Sequence, residues 1–121
     1  MKWHIDADRP VYIQLVEQMK IKIIAGEYQA GERIPSVREL AAEAAVNPNT
    51  MQKALAELER TGLMYSQRTS GRFITDDKNM IEGLKKEIAM EQIDTFISNM
   101  AAIGISKTEI MELFKVRMEE V

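Results

Sequence analysis

Residues 31–62 read GERIPSVRELAAEAAVNPNTMQKALAELERTG, and this stretch decides the fold. Ser36 followed three residues later by Glu39 is a capping box. The serine hydroxyl accepts from the Glu39 amide, and the carboxylate accepts from the Ser36 amide. Asn47-Pro48 is a second start signal. Asn is a favoured N-cap, and Pro at the first helical position gives up an amide that has no partner there. Gly62 marks a stop, because it tolerates the left-handed conformation past a helix end. The spacing predicts helices at 36–45 and 48–61. The first buries Val37, Leu40, Ala41 and Ala44, and the second buries Met51, Leu55 and Leu58. Two short helices across a tight turn form a helix-turn-helix, whose second helix is shaped to enter a DNA major groove.

The flanks extend the pattern in both directions. Upstream, Tyr12, Val16, Met19 and Ile23 recur at helical spacing over 11–25, with Leu15 widening the stripe and Gly26 ending it. Downstream, Leu63–Gln67 and Arg72–Thr75 lean toward strand on either side of Thr69-Ser70-Gly71, a hairpin signal. Three helices and a hairpin make a winged helix-turn-helix over residues 1–77. After Asp76-Asp77 a long helical stretch over 78–103 carries Ile81, Leu84, Ile88, Ile93, Phe96, Ile97 and Met100. Gly104 breaks it, and Ser106 with Glu109 forms another capping box. That box opens a last helix bearing Ile110, Leu113, Phe114 and Met118. Two helices alone enclose too small a core to fold separately. Their apolar faces need the winged domain, each other or a second subunit. The expected fold is therefore mainly α with a small β-hairpin, and residues 78–121 are expected to be a helical dimerisation tail.

Composition narrows the function. No apolar run approaches the ~20 residues of a membrane span, and MKWHIDADRP lacks the apolar core of a signal peptide. The chain has no cysteine, which excludes disulfides and thiolate metal sites and suits a reducing cytoplasm. His4 is the single histidine, and there is no phosphate-cradling G-x-x-x-x-G-K motif and no calcium-loop spacing. An enzyme is disfavoured on these grounds, and no metal or cofactor is expected. Residues 1–78 hold 11 basic and 11 acidic side chains, whereas 79–121 hold 5 and 8, so the net charge of −3 resides in the tail. Phosphate binding needs a locally basic face, not a basic chain. The acidic tail is expected to stay off DNA.

Opposite the buried side of the 48–61 helix lie Asn49, Gln52, Lys53 and Ala56. Asn and Gln pair bidentately with adenine, and Lys reaches guanine acceptors or phosphate. Thr50 suits a phosphate at the helix start or a thymine methyl. Arg38 opens the first helix of the motif, the element that crosses the phosphate backbone. Arg33 precedes it, and Arg68 and Arg72 bracket Gly71 at the hairpin tip. Each candidate has a plainer reading. The helix face is a solvated surface, Arg38 pairs with Glu39 or Glu43, and the tip arginines are solubilising charge. Trp3 and Tyr12 are expected to cover the N-terminal helix.

A family resemblance joins these residues. The series Asp6, Pro10, Tyr12, Gln14, Gly26, Gly31, Ile34-Pro35-Ser36-Val37-Arg38-Glu39-Leu40-Ala41, Val46-Asn47-Pro48-Asn49-Thr50, Lys53-Ala54-Leu55, Leu58-Glu59 and Gly62-Leu63 resembles the GntR family of bacterial transcription regulators. With so short a tail it is most similar to the YtrA-like subfamily. The resemblance covers roughly residues 6–75. It implies a dimeric winged-helix protein, usually a repressor, with a short helical dimerisation tail, often encoded beside transporter genes. It supports DNA contacts by Arg38, Asn49, Thr50, Gln52 and Gly71, and brings Ser36 and Asn47 into the candidate set. Two departures stand out. Many members have Arg where this chain has Pro48, and Thr69 takes the place of the first glycine of the usual G-x-G wing, which leaves Arg72 to supply that contact. The expectation is a cytoplasmic regulator that binds a pseudo-palindromic operator as a homodimer. A small-molecule effector is compatible with it, without assigned residues. The alternative is a winged-helix protein–protein module with no DNA contact.

Overall fold

The computed structural model describes residues 2–120. Among them the chain forms α1 (Val11–Ile24), α2 (Val37–Ala44), α3 (Pro48–Arg60), β1 (Met64–Gln67), β2 (Gly71–Ile74), α4 (Lys78–Ala102) and α5 (Lys107–Glu120). This is the winged helix-turn-helix with a helical extension. No described helix is long and apolar enough to cross a membrane. The chain divides into two compact units, with the boundary inside α4 between Leu84 and Lys85.

In the first unit, Leu15, Met19, Leu40, Met51, Leu55, Leu58, Leu63, Met64 and Ile74 are each at most 2% exposed and form one core. Full burial of such a side chain contributes about 1.5–3 kcal/mol. The helical stripes supply most of this core, and the first residue of β1 and the last of β2 close it. Ile81 and Leu84, expected at a subunit interface, are half-buried against this core together with Met80. The chain itself therefore covers part of the apolar face at the start of α4. Val37, expected to be buried, is also only half-buried.

The capping signals act as the sequence indicates. Ser36 Oγ accepts from the Glu39 amide and Glu39 Oε1 from the Ser36 amide, both at 3.2 Å. Asn47 Oδ1 accepts from the Asn49 amide at 2.7 Å. Between α2 and α3 the turn runs through Ala45 at φ 57°, a left-handed alanine. Its strain of about 1–2 kcal/mol is offset by amide bonds from Ala45 to the Ala42 carbonyl and from Val46 to the Ala41 carbonyl.

Two features lay outside the hydrophobic pattern. First, α1 buries a polar residue. Gln14 is 0% exposed, and its amide is saturated by the Asp6 amide and the Asp6 and Arg9 carbonyls. One turn on, Gln18 pairs with both backbone groups of His4, so two glutamines hold the N-terminal arm along α1. Second, the hairpin gains a third edge. Arg33 bridges to Phe73, with Ile34 donating to the Arg72 carbonyl and Ile74 to the Glu32 carbonyl. This ties the wing to the segment that leads into α2.

The second unit is a helix pair. Gly104 at φ 85° ends α4. Ser106 and Glu109 cap α5 with the same reciprocal bonds, both 3.2 Å. Phe96 and Phe114 meet with ring centroids 5.0 Å apart, and Ile110 is buried. Much apolar surface remains open: Met111 is 70% exposed, Met118 69% and Leu113 52%.

Candidate nucleic-acid interface

The buried row of α3 is Met51, Ala54, Leu55 and Leu58, which turns Asn49, Gln52, Lys53 and Ala56 outward. These four are exposed, as the helical spacing requires. Lys53 is not a free arm, because its ammonium lies 3.9 Å from the centroid of the Tyr12 ring on α1. Such a cation–π contact contributes about 0.5–1 kcal/mol at an exposed site. Tyr12 thus braces the α1 side of α3. Thr50 turns to the flank of α3, half-buried, and lines a groove with Ile5, Asp6, Val11 and Val46. The Asn47 oxygen is occupied as a cap, so it contributes to the surface chiefly by fixing where α3 starts.

Arg38 stands exposed in the first turn of α2, with no ion pair to Glu39 or Glu43 among the described residues. Glu39 is committed elsewhere. The Ser36 amide and hydroxyl bonds hold its carboxyl below the usual carboxylate range, and the field of Arg33 adds to this. Deprotonated Glu39 therefore keeps the cap at neutral pH, and Arg38 keeps its charge for solvent.

Arg33, Ser36, Arg68, Gly71 and Arg72 line a groove of about 460 Å³ between the start of α2 and the wing. Gly71 sits at φ +105°, and a Cβ there would lie 3.1 Å from Arg33 Nε. Only glycine combines that backbone with so close a guanidinium. Arg68 is exposed in the turn at the wing tip. Arg72 is placed differently: its Nε donates to Glu59 Oε1 at 3.1 Å, and its side chain is only 17% exposed. The Ser66 hydroxyl bonds the same oxygen. The structure therefore leaves Arg33, Arg38, Asn49, Gln52, Lys53 and Arg68 exposed, brings Arg33 and Arg68 to one groove, and draws Arg72 back onto α3. Sequence reasoning missed two supports, Tyr12 under Lys53 and Glu59 under the wing. Both belong to the quoted family series, but no spacing rule links residues 41 or 13 positions apart.

Comparison with known proteins bears directly on this surface. The model for bacterial regulatory proteins of the gntR family matches residues 11–74, which span all of this surface. The HTH-type transcriptional repressor YtrA of Bacillus subtilis is 35% identical over 88% of this chain and 82% of its own length. A GntR family transcriptional regulator from Listeria monocytogenes has a similar structure, with a TM-score of 0.84 at 42% identity, covering 92% of this chain and 97% of its own. The DNA-binding domain of AraR, solved in complex with operator ORX1, aligns at a TM-score of 0.54 and 26% identity over 62% of this chain and 99% of its own. These relatives are transcription regulators, not enzymes. The chain belongs to the GntR family of bacterial transcriptional regulators, with a winged-helix DNA-binding domain of the kind that binds operators.

Proposed function

We propose that this regulator is a repressor that binds a pseudo-palindromic operator as a homodimer in the cytoplasm. The observation that carries the DNA-facing part is the exposed row Asn49, Gln52 and Lys53 on α3, together with exposed Arg38 in the first turn of α2 and the Arg33–Arg68 groove between that turn and the wing. The amides suit adenine edges in the major groove, and the cations suit phosphates on either side of it. With Pro48 where relatives often carry arginine, base reading leans on Asn49 and Gln52. The name of YtrA supports repression. Competition with polymerase at the operator is the simplest route to it, and transporter genes are the class of target the subfamily suggests.

The homodimer rests on the second unit. Ile93, Leu113, Phe114 and Met118 are between 43% and 69% exposed on a helix pair with little core of its own. A second copy would cover these side chains and present two reading helices with two-fold symmetry, which half-sites mirror. The test is a salt titration of binding to duplex DNA followed by fluorescence anisotropy. The expected result is a log–log slope of about −0.9 per phosphate contacted. A protein–protein module that ignores phosphates would give no slope, and that result would overturn the reading.

A further inference from the structure

Glu59 lies where the reading helix meets the wing, and one of its oxygens gathers both strands. Oε1 accepts from Arg72 Nε at 3.1 Å and from the Ser66 hydroxyl. Ser66 on β1 and Arg72 on β2 are register partners, one step from the Gln67–Gly71 pair at the tip. At the other end of the hairpin, Met64 and Ile74 pair and are buried in the core. Burial therefore anchors the base of the wing, the Ile34–Arg72 backbone bond holds β2 to the segment before α2, and Glu59 supplies the side-chain tie from the distal half to α3. A hairpin of two short strands is marginal by itself, so its set against α3 depends on such ties. The Glu59 and Arg72 side chains are 28% and 17% exposed, which shields the pair from salt better than a fully solvated one.

We infer that Glu59 and Arg72 are a positioning pair that fixes the wing on the reading helix, and that the Arg72 charge serves this tie and not a DNA phosphate. The inference rests on the DNA-binding reading above. It separates Arg72 from Arg68, which the sequence treats as equivalent. Arg68 is exposed in the tip turn and positioned for a phosphate. Arg72 cannot meet a phosphate at its Nε without also bringing up the Glu59 carboxylate. Loss of the pair leaves the Ile34–Arg72 backbone bond in place but removes the side-chain tie to α3, so the tip can shift against the reading helix in the free protein. Binding must then restore its set before Arg68 makes its contact, which weakens affinity and leaves the number of phosphate contacts unchanged.

The test uses the full chain and a fluorescein-labelled duplex selected on the wild-type protein from a random pool, titrated over a range of NaCl. For Arg68→Gln the log–log slope should become shallower by about 0.9. For Arg72→Gln affinity should fall several-fold while the slope stays at the wild-type value. Glu59→Gln is isosteric and keeps an acceptor for Ser66, so folding is preserved; it should lose affinity to a similar extent. The double variant should lose no more than the worse single, as expected of partners in one interaction. A slope shallower by about 0.9 for Arg72→Gln, additive losses, unchanged affinity in both singles, or tighter binding by Glu59→Gln would each overturn the pair's role. A wild-type protein that selects no duplex and shows no slope would sink the DNA-binding reading first, and this inference with it.

Discussion

The two units of this chain use similar ingredients to different ends. Both contain capped helices opened by Ser-x-x-Glu, and both carry apolar stripes at helical spacing. In the first, three helices and a hairpin surround their stripes, and Leu40, Met51, Leu58 and Ile74 lose essentially all contact with water. In the second, two helices meet at Phe96, Ile110 and Phe114, while Met111, Val116 and Met118 stay more than half exposed. The difference teaches that amphipathicity says which face wants burial and not what buries it. A third element satisfies the face within the chain, and without one the need for a partner remains.

The contrast can be broken first at the core. Leu58→Ala in α3 should cost about 2–5 kcal/mol, read as a lower midpoint in urea unfolding. A loss under about 1 kcal/mol, below the usual large-to-small range, would mean that α3 is not the keystone of the first unit. Next in size is the surface that the core presents. Arg38→Ala should weaken binding to a selected duplex by about 1–3 kcal/mol, the range of one good side-chain contact. Gel shift at fixed salt measures it, and unchanged affinity would remove Arg38 from the interface. The smallest effect compares the two capping boxes. Ser36→Ala and Ser106→Ala each delete the same bond and should each cost about 0.5–2 kcal/mol of local helix stability. The first loss should appear in monomer unfolding and the second as weaker self-association. Acid should act at Ser36 in the same sense. The folded state depresses the Glu39 pKa, so the stability it adds is full above the ordinary carboxylate pKa and is lost as pH falls through the lower folded value. Ser36→Ala should flatten this part of the acid-unfolding curve.

Much of the first unit was legible in the sequence because its signals are local. Ser36-Glu39, Asn47-Pro48 and Gly71 each state a backbone conformation within a few residues, and the expected element bounds fall within one residue or so of those observed. The outward face of α3 follows from the same arithmetic, since Met51, Leu55 and Leu58 fix the opposite side. What stayed hidden was long-range pairing. Nothing local to Arg72 says that Glu59 will claim it, and nothing local to Lys53 points to Tyr12. No local pattern marks Gln14 for burial, yet it is the most buried polar side chain of α1 because the N-terminal arm folds back to saturate its amide. Likewise, Ile81 and Leu84 share a stripe with Ile88, but only the tertiary fold shows that the first two rest on the winged core.

The central claim joins both units: an exposed reading surface on the first, brought to DNA in two copies by the second. Sedimentation equilibrium at micromolar protein with a selected labelled duplex measures both at once. The expected result is a duplex carrying two 13.8 kDa chains, with free protein sedimenting at twice the chain mass. Free protein at 13.8 kDa with one chain per duplex, or a duplex whose mass the protein leaves unchanged, would contradict it.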